Sequence, residues 1–371
     1  MNSSPVLNRL RRGGGKAILA SGIGFLLTVI AAGTGLSPFI PAQESPTYKV
    51  NVNVVNVLAT VRDHKGRIVS DLTKDDFILE EDGKHQEIQY FSRQTDLPLT
   101  IGLLIDTSLS QLRLIEEERS ASYQFLDQVL RPERDQAFVI KFDSEAELLQ
   151  DLTNSRASLQ KALNDLKAPL RLRRSESGAQ DPDWPGVVFA QSWPGGRRGG
   201  GRRGGPSPGG QPGMQRAGTV MYDSVFLASD EILRNREGRK AIILISDGVD
   251  HGSRVKEREA TDAAHRSDVL VYSVRYYDAA AYGGTFSGEG STGAKGLKAL
   301  SQETGGRMFE VAKKMTLRDI YDQIQEELRN QYNIGYTPSA GGGTGFRRIK
   351  LLTKDGKLEV ITRAGYYPRQ P

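Results

Sequence analysis

Two rhythms of apolar and polar residues alternate along the chain. Tyr48, Val50, Val52 and Val54 alternate with Lys49, Asn51 and Asn53, the period of a half-buried strand. The phase then slips to Val55 and Val57, which predicts a bulge near Val54. Turn signals at Asp63-His64-Lys65-Gly66 and Glu81-Asp82-Gly83-Lys84, with strand-like flanks at Phe77 to Leu79 and Ile88 to Phe91, complete a small antiparallel β unit over 47–96. His64 and His85 fall in or beside these turns and are expected in solvent.

From Leu99 the rhythm changes to strands alternating with helices, the order of a parallel α/β sheet. Ile101 to Ile105 is a nearly unbroken apolar run ending in Asp106, as in a strand buried on both faces. Leu112, Ile115, Ser122, Phe125, Leu126 and Val129 then share one helical face. Further strands are predicted at Ala137 to Phe142, Leu148 to Leu152 (an edge), Ala241 to Ile245, Val269 to Val274 and Met308 to Val311. Helices are predicted over Ser155 to Leu166, from Tyr222 to Leu233, and near Val255 to Arg266, Lys295 to Thr304 and Leu317 to Asn330. After Asn330 the β pattern returns at Tyr332 to Tyr336, Phe346 to Leu352 and Leu358 to Thr362. Neither terminal β segment is large enough to be stable alone. They are expected to pair into one sandwich-like unit into which a Rossmann-like α/β domain, a mostly parallel sheet flanked by helices, is inserted.

Two stretches interrupt this order. Residues 169–217 are rich in Gly, Pro and Arg, including GGRRGGGRRGGPSPGG, and are expected to be disordered because they cannot bury enough apolar surface. Asp278 to Thr292, rich in glycine, reads as a mobile rim loop. The first 42 residues carry Arg9, Arg11, Arg12 and Lys16, then an uncharged apolar stretch from Ala17 to Leu36, then Ile40-Pro41-Ala42. This is the pattern of an export signal cleaved after Ala42, with an uncleaved anchor through 17–36 as the alternative. The expected location is therefore periplasmic or secreted, or the inner membrane, with membrane contact only if the leader is retained.

Charge and composition narrow the chemistry. The formal charge of the 371 residues is +5, yet the leader alone carries +4 and the Arg171 to Arg216 stretch, with eight arginines against three acids, carries +5. The rest of the chain is therefore net acidic, and its basic character sits in one low-complexity segment. Arginine and glycine there suggest single-stranded nucleic acid, but the aromatics Trp184, Phe189 and Trp193 are sparse and all precede the main basic run. A spacer, or weak attraction to anionic glycan or lipid, fits an exported chain better, and no specific nucleic acid is expected. The absence of cysteine excludes disulfides, thiolate metal sites and cysteine nucleophiles, and four scattered histidines argue against a histidine zinc site.

The chemistry concentrates after the first buried strand, where Asp106, Ser108 and Ser110 stand two residues apart. Open α/β sheets bind ligands at the carboxyl ends of their strands. A carboxylate and two hydroxyls are hard donors, suited to Mg²⁺ first, or to Mn²⁺ or Ca²⁺. This DxSxS spacing resembles the metal-ion-dependent adhesion site of von Willebrand factor A (VWA) domains. The resemblance implies a later loop threonine and an aspartate closing another buried strand, and Thr219 in AGTVMY and Asp247 in KAIILISDG supply them. It further implies that the ion, held by few anionic ligands, takes an acidic side chain from a partner protein to complete its shell.

The flanks are similar to those of the VWFA-related proteins of acidobacteria. The matching stretches are Lys65-Gly66-Arg67-Ile68-Val69, Leu72-Thr73-Lys74-Asp75-Asp76-Phe77, Glu81-Asp82-Gly83-Lys84, Asp106 to Ser110, Gly218-Thr219, Ser246-Asp247-Gly248, Gln331 to Pro338 and Gly365-Tyr366-Tyr367. The chain then divides into a leader (1–42), an N-terminal β unit (47–96), a VWA domain with its Arg/Gly/Pro-rich insertion (97–331) and a C-terminal β segment (332–371).

Other readings bear on the same residues. Ser110 and Thr219 are also good helix caps, Asp247-Gly248 is also a turn, and Asp250 and His251 are expected as solvated rim groups. A Mg²⁺-dependent phosphoryl-transfer or hydrolytic enzyme would use Asp106, but position 108 is Ser where such a site places a second aspartate. No GxxxxGK[ST] loop, GxSxG elbow at the end of a predicted strand, or strong candidate base accompanies it, so a binding module is expected rather than an enzyme. A structural envelope protein with a vestigial metal site is the remaining alternative.

Overall fold

The computed structural model describes residues 54–93, 97–108, 111, 115–166, 218–277, 287–339 and 343–368, with the side chains of 287–289 excepted. The leader, the strand predicted from Tyr48 with its bulge, the Arg/Gly-rich insertion and Ser110 lie outside the described residues. The N-terminal flank supplies β1 (Val55–Arg62), β2 (Phe77–Glu81), β3 (Lys84–Gln86) and β4 (Tyr90–Arg93). The α/β part follows with β5 (Leu99–Asp106), α1 (Ile115–Val129), β6 (Gln136–Phe142), β7 (Ala146–Thr153) and α2 (Arg156–Asn164). Next come α3 (Met221–Phe226) with a π-helical continuation (Leu227–Leu233), β8 (Arg239–Ser246), α4 (Glu257–Arg266) and β9 (Val269–Arg275). It closes with α5 (Ser287–Thr304), β10 (Met308–Glu310) and α6 (Leu317–Arg329). The C-terminal flank adds β11 (Tyr332–Tyr336), β12 (Arg347–Thr353), β13 (Glu359–Thr362) and β14 (Gly365–Tyr366).

The six-stranded sheet has the order β10-β9-β8-β5-β6-β7, parallel except for β7, which runs antiparallel at one edge. The uninterrupted apolar runs form its centre, and every residue of β5 and β8 is buried. Alternate side chains feed two cores. Ile101, Leu103 and Ile105 pack with α1, α2 and α6, while Leu104, Phe138 and Ile140 pack with α3, α4 and α5. Parallel pairing aligns the strand ends: Ile105 faces Ile245, Asp106 faces Phe142, and Ser246 faces Arg275. The first polar residue after each apolar run therefore reaches the same edge.

Helix α5 begins at Ser287, well before the predicted Lys295, so the predicted rim loop is helical in its second half. Glycines conceal the helix in the sequence. Their place is explained by packing: a Cβ at Gly293 would lie 2.7 Å from the carbonyl carbon of Gly248. Close backbone contact here overrides low helix propensity.

The two flanks form two four-stranded sheets, β13-β1-β11-β4 and β14-β12-β2-β3. Each mixes strands from both ends of the chain, with β1 between β13 and β11 and β12 against β2. Val55, Val57, Ala59 and Val61 point inward toward Phe77, Leu79, Tyr332, Ile334, Ile349 and Leu351. Buried Glu81 receives the hydroxyls of Tyr336 (2.5 Å) and Tyr366 (2.9 Å) and the Arg347 guanidinium (3.0 Å). His64 and His85 are exposed, as expected. The flanks are joined to the α/β part by buried Glu327 of α6, whose Oε1 lies 2.6 Å from both Arg62 of β1 and Arg307. Among the described residues, no helix is long and apolar enough to cross a membrane.

Candidate functional site

Asp106 ends β5 fully buried. Its Oδ1 accepts the Ser108 amide at 2.9 Å and its Oδ2 accepts the Ser246 hydroxyl at 2.7 Å. Ser246 ends β8 and its Oγ also accepts the Gly248 amide at 3.0 Å, turning the chain sharply after Asp247. Asp247, 1% exposed, uses Oδ1 to accept the Val249 amide at 2.9 Å and Oδ2 to accept Gln111 Nε2 at 3.2 Å. The same Gln111 nitrogen reaches the Tyr276 carbonyl at 3.3 Å, so one buried amide spans the segments after β5, β8 and β9.

Thr219 is held at this edge by its backbone. Its carbonyl accepts the amides of His251 (3.2 Å) and Gly252 (3.0 Å) from the segment after β8, and the Val220 amide donates to the Asp143 carbonyl (2.8 Å) just past β6. The Thr219 segment thus runs from one neighbour of β5 to the other. A Cβ at Gly218 would lie 2.8 Å from the Gly252 Cα, so only glycine permits this approach.

Thr219 is not the cap of α3, which starts after Val220 with no cap from that side chain. Asp250 supplies the cap from another loop: its Oδ1 accepts the amides of Met221 (2.8 Å) and Tyr222 (3.4 Å) and the Ser253 hydroxyl (2.5 Å). Asp223 of α3 returns the arrangement, accepting the amides of Arg254 and Val255. Asp250 is therefore a half-buried structural acceptor rather than the solvated rim group expected; His251 is exposed.

The electrostatics follow from burial. The Asp106 carboxyl is pushed up to about 7, first by desolvation and then by the charge of Asp247, against the hydrogen bonds from Ser246 and Ser108. Two carboxylates brought together in a buried place resist ionising together, and a divalent cation relieves that conflict. The donor types suit a hard cation: carboxylates from Asp106 and Asp247, hydroxyls from Ser108 and Thr219. Among the described residues, no group of three His, Cys, Asp or Glu forms a separate metal cluster.

No protein-family model and no curated relative matches the sequence. Solved structures do. Proximal thread matrix protein 1 from the mussel byssus is 14% identical over 67% of this chain and 51% of its own, with a TM-score of 0.42. The chain thus spans about half the length of that protein, which has also been solved with a zinc-occupied MIDAS motif. The vWF domain of the type V pili tip protein Mfa5 from Porphyromonas gingivalis is 11% identical over 62% of this chain and 95% of its own (TM-score 0.41). BatB from Bacteroides thetaiotaomicron is 15% identical over 62% and 97% (TM-score 0.38). The parallel sheet flanked by helices is the Rossmann-like α/β arrangement expected from the sequence, and the functional reading below stands on the site itself.

Gln111, Ser246, Asp250 and Glu118 were not among the predicted site residues. Ser246 carried a signal as a polar residue closing a buried strand. Glu118 carried one too, since it lies on the inward helical face between Ile115 and Ser122.

Proposed function

We propose that this chain is a metal-dependent protein-binding module, an adhesion or scaffold element, with a divalent cation held by Asp106, Ser108, Ser110, Thr219 and Asp247. The observation that supports the reading is the placement of buried Asp106 and Asp247 at the ends of adjacent parallel strands, with Ser246 hydrogen-bonded to Asp106 and the Thr219 backbone tied to the segment after β8. Asp106 and Asp247 would supply the negative charge, and the hydroxyls would complete the protein's share of the shell without quenching the ion. The bound ion supplies an electrophilic position for an outside oxygen, best filled by a carboxylate of a partner protein. Mg²⁺ is the expected ion, with Mn²⁺ or Ca²⁺ as substitutes. An export leader over 1–42 would put this activity outside the cytoplasm, in the periplasm or beyond, or at the inner membrane if the leader is retained.

Titration calorimetry with Mg²⁺ and Mn²⁺ tests the reading. The wild type should bind and Asp106→Ala should not; equal affinity in both removes the metal site and leaves an envelope protein with a vestigial motif. Affinity capture with and without chelator then tests whether the partner depends on the metal.

A further inference from the structure

Glu118 lies in the first turn of α1 and is 2% exposed, and among the described residues neither of its carboxylate oxygens has a hydrogen-bond partner. It borders a cavity of about 10 Å³, room for roughly one water, lined also by Glu117, Ile245, Tyr276, Val311 and Leu317. Buried polar groups are almost always satisfied, so an acid with both oxygens bare needs an explanation. The titratable groups facing it are Asp106 from β5, Glu117 from its own helix, Tyr276 just after β9, which lines the same cavity, and Tyr321 from α6, whose hydroxyl pairs with that of Ser122 at 2.7 Å. All are acids. Burial first, then Asp106, then Glu117 hold the Glu118 carboxyl well above its usual range.

We propose that Glu118 is a proton site linked to the metal face, holding a proton while the Asp106–Asp247 pair lacks a cation and releasing it to solvent when a divalent cation binds there. This rests on the metal reading above. The exchange balances: one cation enters and Glu118 gives up one proton to become a carboxylate, in addition to any proton that Asp106, itself held up to about 7, gives up on taking the ion. Where Asp106 is ionised, the field that Glu118 feels from it is repulsive until an ion of double charge arrives, and then changes sign. The amino end of α6, where Leu317 lines the same cavity, is suited to receive the new negative charge. Cation affinity would therefore rise with pH through Glu118.

The test titrates Mn²⁺ into the full chain by calorimetry in two buffers of different ionisation heat, comparing wild type with Glu118→Gln. The wild type should release more protons per bound ion, by up to about one, and its Kd should fall more steeply with pH, by up to about tenfold per pH unit. Equal proton release overturns the link. A metal-free arm follows thermal midpoints against pH. A carboxyl raised in the folded state keeps its proton where the unfolded chain has lost it, so stability falls as pH rises above about 4.5. Glu118→Gln should gain on the wild type as pH rises, and parallel profiles overturn the buried acid. If the wild type shows no binding heat while the metal-free profiles diverge, the metal reading fails and the link with it, while the buried acid stands. Glu118→Met, neutral and of similar volume, repeats both arms should the glutamine variant not fold.

Discussion

Ser246→Ala separates a residue that merely packs from one that sets the geometry of a metal site. The hydroxyl is fully buried and makes two bonds, donating to Asp106 Oδ2 at 2.7 Å and accepting from the Gly248 amide at 3.0 Å. Removing it takes a charge-assisted bond from Asp106 and leaves a buried amide unmet, a loss of stability of about 2–3 kcal/mol. It also removes a donor that holds the Asp106 carboxyl down, so protons compete harder with the cation. Partners that orient a ligand change metal affinity by roughly 10- to 100-fold when deleted. Mn²⁺ calorimetry at fixed pH reads the affinity, and urea denaturation of the metal-free chain reads the stability. A stability loss with affinity within about twofold of wild type would refute the argument. Ser246 would then be a turn residue, and Asp106 would not be a ligand that it positions.

Three further outcomes follow from packing and charge. Gly102→Ala places a Cβ 2.3 Å from the tip of the Phe138 ring, and denaturation should show a loss of about 1–3 kcal/mol that Phe138→Leu partly restores. Glu327→Ala strands buried Arg62 and should cost about 3–5 kcal/mol, with the flanking sheets losing hydrogen-exchange protection first. The His265 imidazole, packed against Phe346, is pushed down to about 4 by burial and then by Arg363, with Asp262 and Asp268 opposing. Between that value and its ordinary one the unfolded chain takes up a proton that the folded chain refuses. Stability should therefore fall as pH drops through this window, by about 3 kcal/mol in all. Urea midpoints near pH 7 and pH 4 for wild type and His265→Leu check it, and the same slope in both would refute the assignment.

The central strands were legible because a strand buried on both faces has no polar side to interrupt it. Ile101 to Ile105 and Ala241 to Ile245 announce themselves, and so does the polar residue that ends each run. The pairing of the two flanks was legible by the same physics: neither could bury its apolar alternation alone, and β1 lies between two strands from the other end of the chain. The first half of α5 was hidden, because Gly290 and Gly293 serve contacts with Tyr277 and Gly248 that no local pattern records. Thr219 was reached only through a resemblance, since a long insertion separates it from the strand edge that its backbone crosses.

What the sequence withheld at the site has one cause. Gln111 meets Asp247 across 136 positions and Ser246 meets Asp106 across 140, so their roles lie in pairings that periodicity cannot express. Glu118 is the converse case. Helical spacing places it inward, and a charge on an apolar stripe is visible in the sequence alone. Whether such a charge finds a partner is decided by the strand and helix packed over it, and here both oxygens meet none among the described residues while Asp106 lies close enough to oppose ionisation. A buried acid kept neutral next to a cation-binding edge changes charge when the edge does. This is why its proton, rather than its packing, is the quantity to measure.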